Sequence, residues 1–167
     1  YREQNITLKI KDYWNLWKTD QISEEEFFQG TKERLKLKYP IFFIKKQLYD
    51  AHKSNNELFK LIRKLKNKYK LFILSNHARE WYKSQEKRLK LKYIFDGSLF
   101  SFEAKIAKPD IRIYKKLLDK YKLNPEECLF IDDQKENLEP AKKLKMKTIH
   151  YKNNLQLKND LKKYGVL

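Results

Sequence analysis

The chain has 167 residues, 41% of them hydrophobic and 14% aromatic, which suits one domain, or one domain with a small appendage, and a sizeable core. The single cysteine, Cys128, excludes an intrachain disulfide and reads as a small buried hydrophobe; no apolar run approaches the length of a membrane span and no signal-peptide pattern opens the chain. A soluble cytoplasmic protein is the expectation. The net charge of +17 comes mostly from lysines spread along nearly every segment, alongside abundant Asn, Ile, Tyr and Phe. Specific nucleic-acid binders gather charge on one face and favour Arg, so this pattern argues against a nucleic-acid surface.

Residues 1–53 read as helices. Tyr13, Trp14, Leu16 and Trp17 give an aromatic face. Ser23, followed by Glu24, Glu25 and Glu26, is a helix start with Ser as cap and Glu at the third position after it. Phe27, Phe28, Leu35 and Leu37 continue that helix, Pro40 breaks it, and Phe42, Ile44, Leu48 and Tyr49 mark another. Weak strand-like alternation appears only at Ile6-Thr7-Leu8-Lys9-Ile10. Trp14, Trp17 and Phe28 could line a lid or merely pack it. His52 and His150 have no partner spacing for a metal.

From residue 56 the style changes. An amphipathic helix over 56–68, with Leu58, Leu61, Ile62 and Leu65 on one side, precedes the apolar run Leu71-Phe72-Ile73-Leu74. That run stops abruptly at Ser75, Asn76 and His77. A helix is expected over 80–91, a short strand within 94–102 with a turn at Asp96-Gly97, and a loop at Ala107-Lys108-Pro109-Asp110. A helix over 111–121 follows, then a turn at Asn124-Pro125-Glu126-Glu127. Next come the apolar run Leu129-Phe130-Ile131, a helix over 138–144, a strand over 146–150 and a helix over 155–164. Helices alternating with continuous apolar strands predict a parallel sheet covered on both faces. Ligands of such sheets bind outside the carboxyl ends of the strands, where both polar stops fall.

Asp132 and Asp133 end the second apolar run. Two adjacent carboxylates at a strand end call for compensation, and a hard cation such as Mg2+ would supply it. A surface turn with an Asp helix cap is the alternative. Ser75, with the backbone N–H groups after it, could bind an anion at a helix start, or simply cap the helix. Lys108, aimed by Pro109, could neutralise a phosphate and hold a nearby carboxylate ionised. Asn137 could orient an acid.

In order, these features are a strand ending in Ser75-Asn76, then Lys108-Pro109 before a helix, then a strand ending in Asp132-Asp133 with Asn137 after it. The set resembles the haloacid dehalogenase-like hydrolase superfamily, in particular its branch of small sugar-phosphate phosphatases with a helical cap. The resemblance spans about residues 20–167 and implies a Rossmann-like α/β core over 54–167, with residues 1–53 as the cap region. It also implies a Mg2+-dependent phosphatase that acts on a small phosphorylated metabolite through a phosphoaspartyl intermediate. In that scheme Ser75 and Asn76 bind phosphate, Lys108 stabilises phosphate charge and the nucleophile, and Asp132 and Asp133 serve the metal. Dehalogenases of the superfamily replace the acidic pair with neutral residues, so Asp132-Asp133 favours phosphate chemistry.

One motif is missing. The family's nucleophile and general acid/base lie in an Asp-x-Asp at the end of a central strand, and no Asp-x-Asp occurs in these 167 residues. Asp12 and Asp20 stand isolated in helical context. The expectation is a fragment lacking an N-terminal strand and therefore inactive alone. A catalytically inactive binding or regulatory relative is the second reading, and a basic nucleic-acid-binding protein the third.

Overall fold

The computed structural model describes residues 2–51 and 54–167. Three helices come first: α1 (Arg2–Lys18), α2 (Glu24–Arg34) and α3 (Ile41–Asp50). The Ser23 capping box forms as its sequence requires: the Glu26 N–H donates to Ser23 Oγ at 3.1 Å and the Ser23 N–H to Glu26 Oε2 at 2.7 Å. Helix α2 ends at Arg34, well before Pro40, because the chain turns through a left-handed Lys36 (φ 50). Residues 6–10 are helical within α1, not a strand. A five-residue alternation is too short to fix a strand, and the aromatic residues that follow at Tyr13, Trp14 and Trp17 continue a helical pattern. Trp17 stacks on Phe27 with centroids 4.2 Å apart and meets Phe28 edge-on at 5.6 Å. Trp17 and Phe28 are each 1% exposed, so they pack the helices together and do not line a lid.

The α/β part follows as α4 (Asn56–Lys66), β1 (Phe72–Ser75), α5 (Arg79–Leu89), β2 (Gly97–Phe100) and α6 (Ser101–Ala104). It continues with α7 (Ile111–Tyr121), β3 (Leu129–Asp132), α8 (Leu138–Lys143), β4 (Lys147–His150) and α9 (Asn154–Lys163). Asn55 caps α4 by accepting from the Leu58 N–H, and Asp110 caps α7 by accepting from that of Arg112. Residues 94–96 stay outside β2, because the chain makes a 3-10 turn over Leu91–Tyr93 and enters the strand only at Gly97. Cys128 is half-buried rather than buried; its thiol donates to the Asn124 carbonyl oxygen.

All strand pairing is parallel, but it comes in two separate halves. Strand β1 pairs with β2, with Leu74 opposite Leu99; β3 pairs with β4, with Ile131 opposite Ile149. Two apolar clusters cover the two faces. One joins Leu74, Leu99 and Phe130 to Ile113, Leu117 and Leu138 from α7 and α8. The other joins Ile149 to Leu61, Leu65, Leu157 and Leu161 from α4 and α9. Each such buried side chain contributes about 1.5–3 kcal/mol. The helical region docks through Trp17 and Phe27 against Ala78 and Trp81, at the amino end of α5. Among the described residues, no helix is long and apolar enough to cross a membrane.

Candidate active site

Among the described residues strands β1 and β3 are not paired, but Lys108 bridges their carboxyl ends. Its Nζ donates to the Leu74 carbonyl oxygen at 2.8 Å and to Asp132 Oδ2 at 2.5 Å. The loop before α7 delivers this lysine, and Asn76 holds the loop. Asn76 Nδ2 donates to the Lys108 carbonyl oxygen at 2.9 Å, while the Lys108 N–H donates to Asn76 Oδ1 at 2.8 Å. The Asn76 side chain is thereby committed to Lys108, and only its backbone N–H is left to face an anion.

Asp132 is buried, with Lys108 9% exposed beside it. Its Oδ1 accepts from the Gln134 N–H and from Asn137 Nδ2, both at 2.9 Å. Asn137 is itself buried, and its carbonyl oxygen accepts from the Tyr114 hydroxyl at 2.7 Å. Burial first, and the Asp132 charge second, push that phenol well above the usual range. A buried carboxylate with one cation and two N–H donors is fully compensated. Asp133, the next residue, differs in burial. It is exposed, and its backbone oxygen accepts from His150 Nε2 at 2.9 Å. Strand β3 ends at Asp132, so Asp133 lies beyond it, at the start of the loop.

This bears directly on a metal. Among the described residues, no three His, Cys, Asp or Glu side chains come together as a metal cluster. Asp132 has three of its lone-pair directions occupied by protein donors. Asp132 and Asp133 alone do not make a magnesium site.

The loop after β1 carries more than its sequence shows. The His77 N–H donates to the Oγ of Ser101 at 2.9 Å, and that hydroxyl donates to the Lys18 carbonyl oxygen at 2.6 Å. Ser101 is fully buried and ties the end of α1 to the loop that follows Ser75. Ser75 lies at the strand end, half-buried, opposite Phe100. The helix after it starts only at Arg79, so the His77 N–H serves Ser101 and not an anion. Asp20 is not isolated: it turns the chain after α1 at φ 60 and accepts both Arg79 Nε (3.2 Å) and Nη2 (2.9 Å), with Lys105 on the same carboxylate. These hydrogen bonds, Arg79 first and Lys105 second, hold the Asp20 carboxyl at about 2. Asp12 pairs with Arg34. Ser101, Tyr114 and Asp20 carry no local sequence signal; their partners lie far along the chain. His52 lies outside the described residues.

A family model described as haloacid dehalogenase-like hydrolase matches residues 9–151, a span that includes Ser75, Asn76, Lys108 and Asp132. The chain belongs to that family. It is 30% identical over 134 residues to the (S)-2-haloacid dehalogenase 4A of Burkholderia cepacia, covering 74% of this chain and 58% of that one. It is also 30% identical over 125 residues to the bifunctional epoxide hydrolase 2 of Rattus norvegicus, covering 70% of this chain. The haloacid dehalogenase-like chain spans only 22% of that enzyme's length. Among solved structures it resembles a HAD family enzyme of Bacteroides thetaiotaomicron, in complex with magnesium and inorganic phosphate, at 26% identity and a TM-score of 0.70. That match covers 82% of this chain and 73% of the other.

Proposed function

We propose that this chain forms part of a phosphatase for a small phosphorylated metabolite, a sugar phosphate being the expected class. The observation that carries the reading is the buried Lys108–Asp132 pair at the joined ends of β1 and β3. An ammonium has three N–H donors, and Leu74 and Asp132 take two of them. The third is available to a phosphoryl oxygen. Ser75 Oγ adds a hydroxyl donor at the next strand end. In phosphoryl transfer, positioning and charge neutralisation supply most of the rate, and Lys108 does both. Asn76 fixes where its backbone sits, and Asn137 with Tyr114 fixes Asp132.

The nucleophile is the missing part. A carboxylate would attack phosphorus, the ester oxygen would leave with a proton as the alcohol, and water would then cleave the acyl phosphate. No Asp-x-Asp occurs within these residues, so this reading requires carboxylates that they do not carry. The magnesium of the Bacteroides structure supports a metal requirement here, with Asp133 and the remaining lone pair of Asp132 as this chain's share. A second reading, carbon–halogen hydrolysis, is favoured by the Burkholderia relative. Asp132-Asp133 weighs against it, because dehalogenases of the superfamily carry neutral residues in place of this acidic pair.

The test is to express the whole reading frame and assay p-nitrophenyl phosphate and 2-chloropropionate, each with and without EDTA. Phosphate release that EDTA abolishes, and that Lys108→Met lowers by about a hundredfold or more, is the expected result. Halide release without phosphate release would overturn the reading. The 167-residue chain alone is expected to turn over neither substrate.

A further inference from the structure

Between α4 and α5, away from the strand ends, lies a cavity of about 360 Å³. Lys60 and Arg63 of α4 line it on one side, and Arg88, near the end of α5, on the other. Phe59 and Leu89, both half-buried, supply its apolar part. The cavity begins at the amino end of α4, with Asn56. Asn56, Phe59, Lys60 and Arg63 fall at i, i+3, i+4 and i+7, which is one stripe of a helix. Arg88 lies nine residues after Arg79, the first residue of α5, which puts it about 14 Å along the helix from the loop that follows Ser75.

Three cations meet here, and none of the lining residues is an acid. Like charges brought together repel, and elsewhere the chain relieves this by pairing. Arg34 pairs with Asp12, Arg79 with Asp20 and Arg112 with Asp110. Among the described residues, neither Arg63 nor Lys60 has a carboxylate partner. The nearby acids are engaged elsewhere: Glu57 pairs with Lys158 of α9, and Glu86 accepts from the Tyr82 hydroxyl and the Lys92 N–H. The chain holds six arginines among its 39 basic residues, and two of the six line this one cavity. Arginine's planar fork matches the oxygens of a phosphate, which the lysines scattered over the rest of the surface do not.

We propose that this cavity is a second anion site, for a small organic phosphate of the nucleoside diphosphate class, separate from the candidate active site. Arg63 and Arg88 take phosphate oxygens, Lys60 adds a point charge, and the amino end of α4 favours the same sign of ligand. Phe59 and Leu89 take the organic body; a bare inorganic anion would leave them unused. All three cations are exposed, so binding weakens as salt rises. None of these residues takes part in the phosphatase reading, and the site does not depend on it.

The test uses the product of the whole reading frame, with ADP and inorganic pyrophosphate as probes. Residue-resolved amide shifts report where each probe goes. ADP is expected to give saturable shifts at Asn56, Phe59, Arg63 and Arg88, weaker at high salt. Arg63→Gln and Lys60→Gln, both at exposed positions, should each weaken ADP by about tenfold, or about 1.4 kcal/mol. Phe59→Leu should weaken ADP and leave pyrophosphate unchanged. A control variant, Lys142→Gln with Lys143→Gln on α8, should bind as the parent does. Absence of saturable shifts overturns the proposal. So do shifts confined to Ser75, Asn76 and Lys108, which would send the anion to the candidate active site. Equal weakening in the α8 control also overturns it, by assigning the binding to net charge alone. Pyrophosphate binding as tightly as ADP would overturn the assignment to an organic phosphate.

Discussion

Asn76 and Lys108 hold each other's backbone through a closed pair of hydrogen bonds, Nδ2 to the lysine carbonyl oxygen and the lysine N–H to Oδ1. The pair links the loop after β1 to the loop before α7, 32 residues apart in sequence. It is what delivers an ammonium to the joint of two strands. Replacing Asn76 by Ala leaves a half-buried N–H and C=O without partners. The expected cost is about 2 kcal/mol of folding stability, read as a lower urea midpoint at unchanged slope. Asn76→Asp, which keeps an acceptor for the Lys108 N–H but loses the donor, should fall between.

Lys108 and Asp132 are both buried, so each is costly without the other. Lys108→Met strands the Asp132 carboxylate and is expected to destabilise by about 3–5 kcal/mol, near the limit of what a domain tolerates. The double variant Lys108→Met with Asp132→Asn removes the charge as well. It should recover a good part of that loss, and the non-additivity in a double-mutant cycle measures the coupling.

The two strand ends were legible in the sequence because a continuous apolar run that stops at polar residues leaves few other readings. Their order with Lys108-Pro109 and Asn137 was enough to place the family. The difference between Asp132 and Asp133 was not read: the first is the last strand residue, buried against Lys108, and the second lies past the strand end and is exposed. Ser101 escaped notice altogether. A serine opening a short helix gives no hint that its hydroxyl will meet Lys18 and His77, residues that only the docking of α1 brings near. Asp20 escaped because its helical surroundings hid a turn at positive φ.

Asp20 gives the fold an acid-sensitive tie. Its folded pKa, about 2 against an ordinary 3.8, is depressed by Arg79 and then by Lys105. The ionised carboxylate is therefore favoured in the folded state. The stability it contributes is present above about pH 4 and is lost as pH falls toward 2. The partners are partly exposed, so solvent screening reduces the worth of the tie to about 1 kcal/mol. Asp20→Asn should lower stability by that amount at pH 7 and flatten the dependence between pH 4 and 2. Urea unfolding across that range measures it, and a variant that keeps the full acid slope would assign the slope to other carboxylates.

Gly97, the first residue of β2, has no room for a side chain. A Cβ there would lie 2.4 Å from the ring of Tyr121. That ring cannot simply swing away: the Tyr121 hydroxyl accepts from the Ser98 N–H at 2.8 Å and donates to the Ser98 carbonyl oxygen at 2.9 Å. The same ring lies against Phe72 of β1, centroids 4.8 Å apart, so it braces both strands of the half-sheet. Gly97→Ala must push it off at least one of these contacts. The expected cost is about 1–3 kcal/mol, an overpacking penalty that outweighs any gain from a stiffer unfolded chain. Gly97→Ala combined with Tyr121→Phe separates the causes. If the clash is with the ring, removing only the hydroxyl leaves the penalty in place. If the anchoring of that ring is what makes the clash costly, the double variant loses less than the sum of the two single changes.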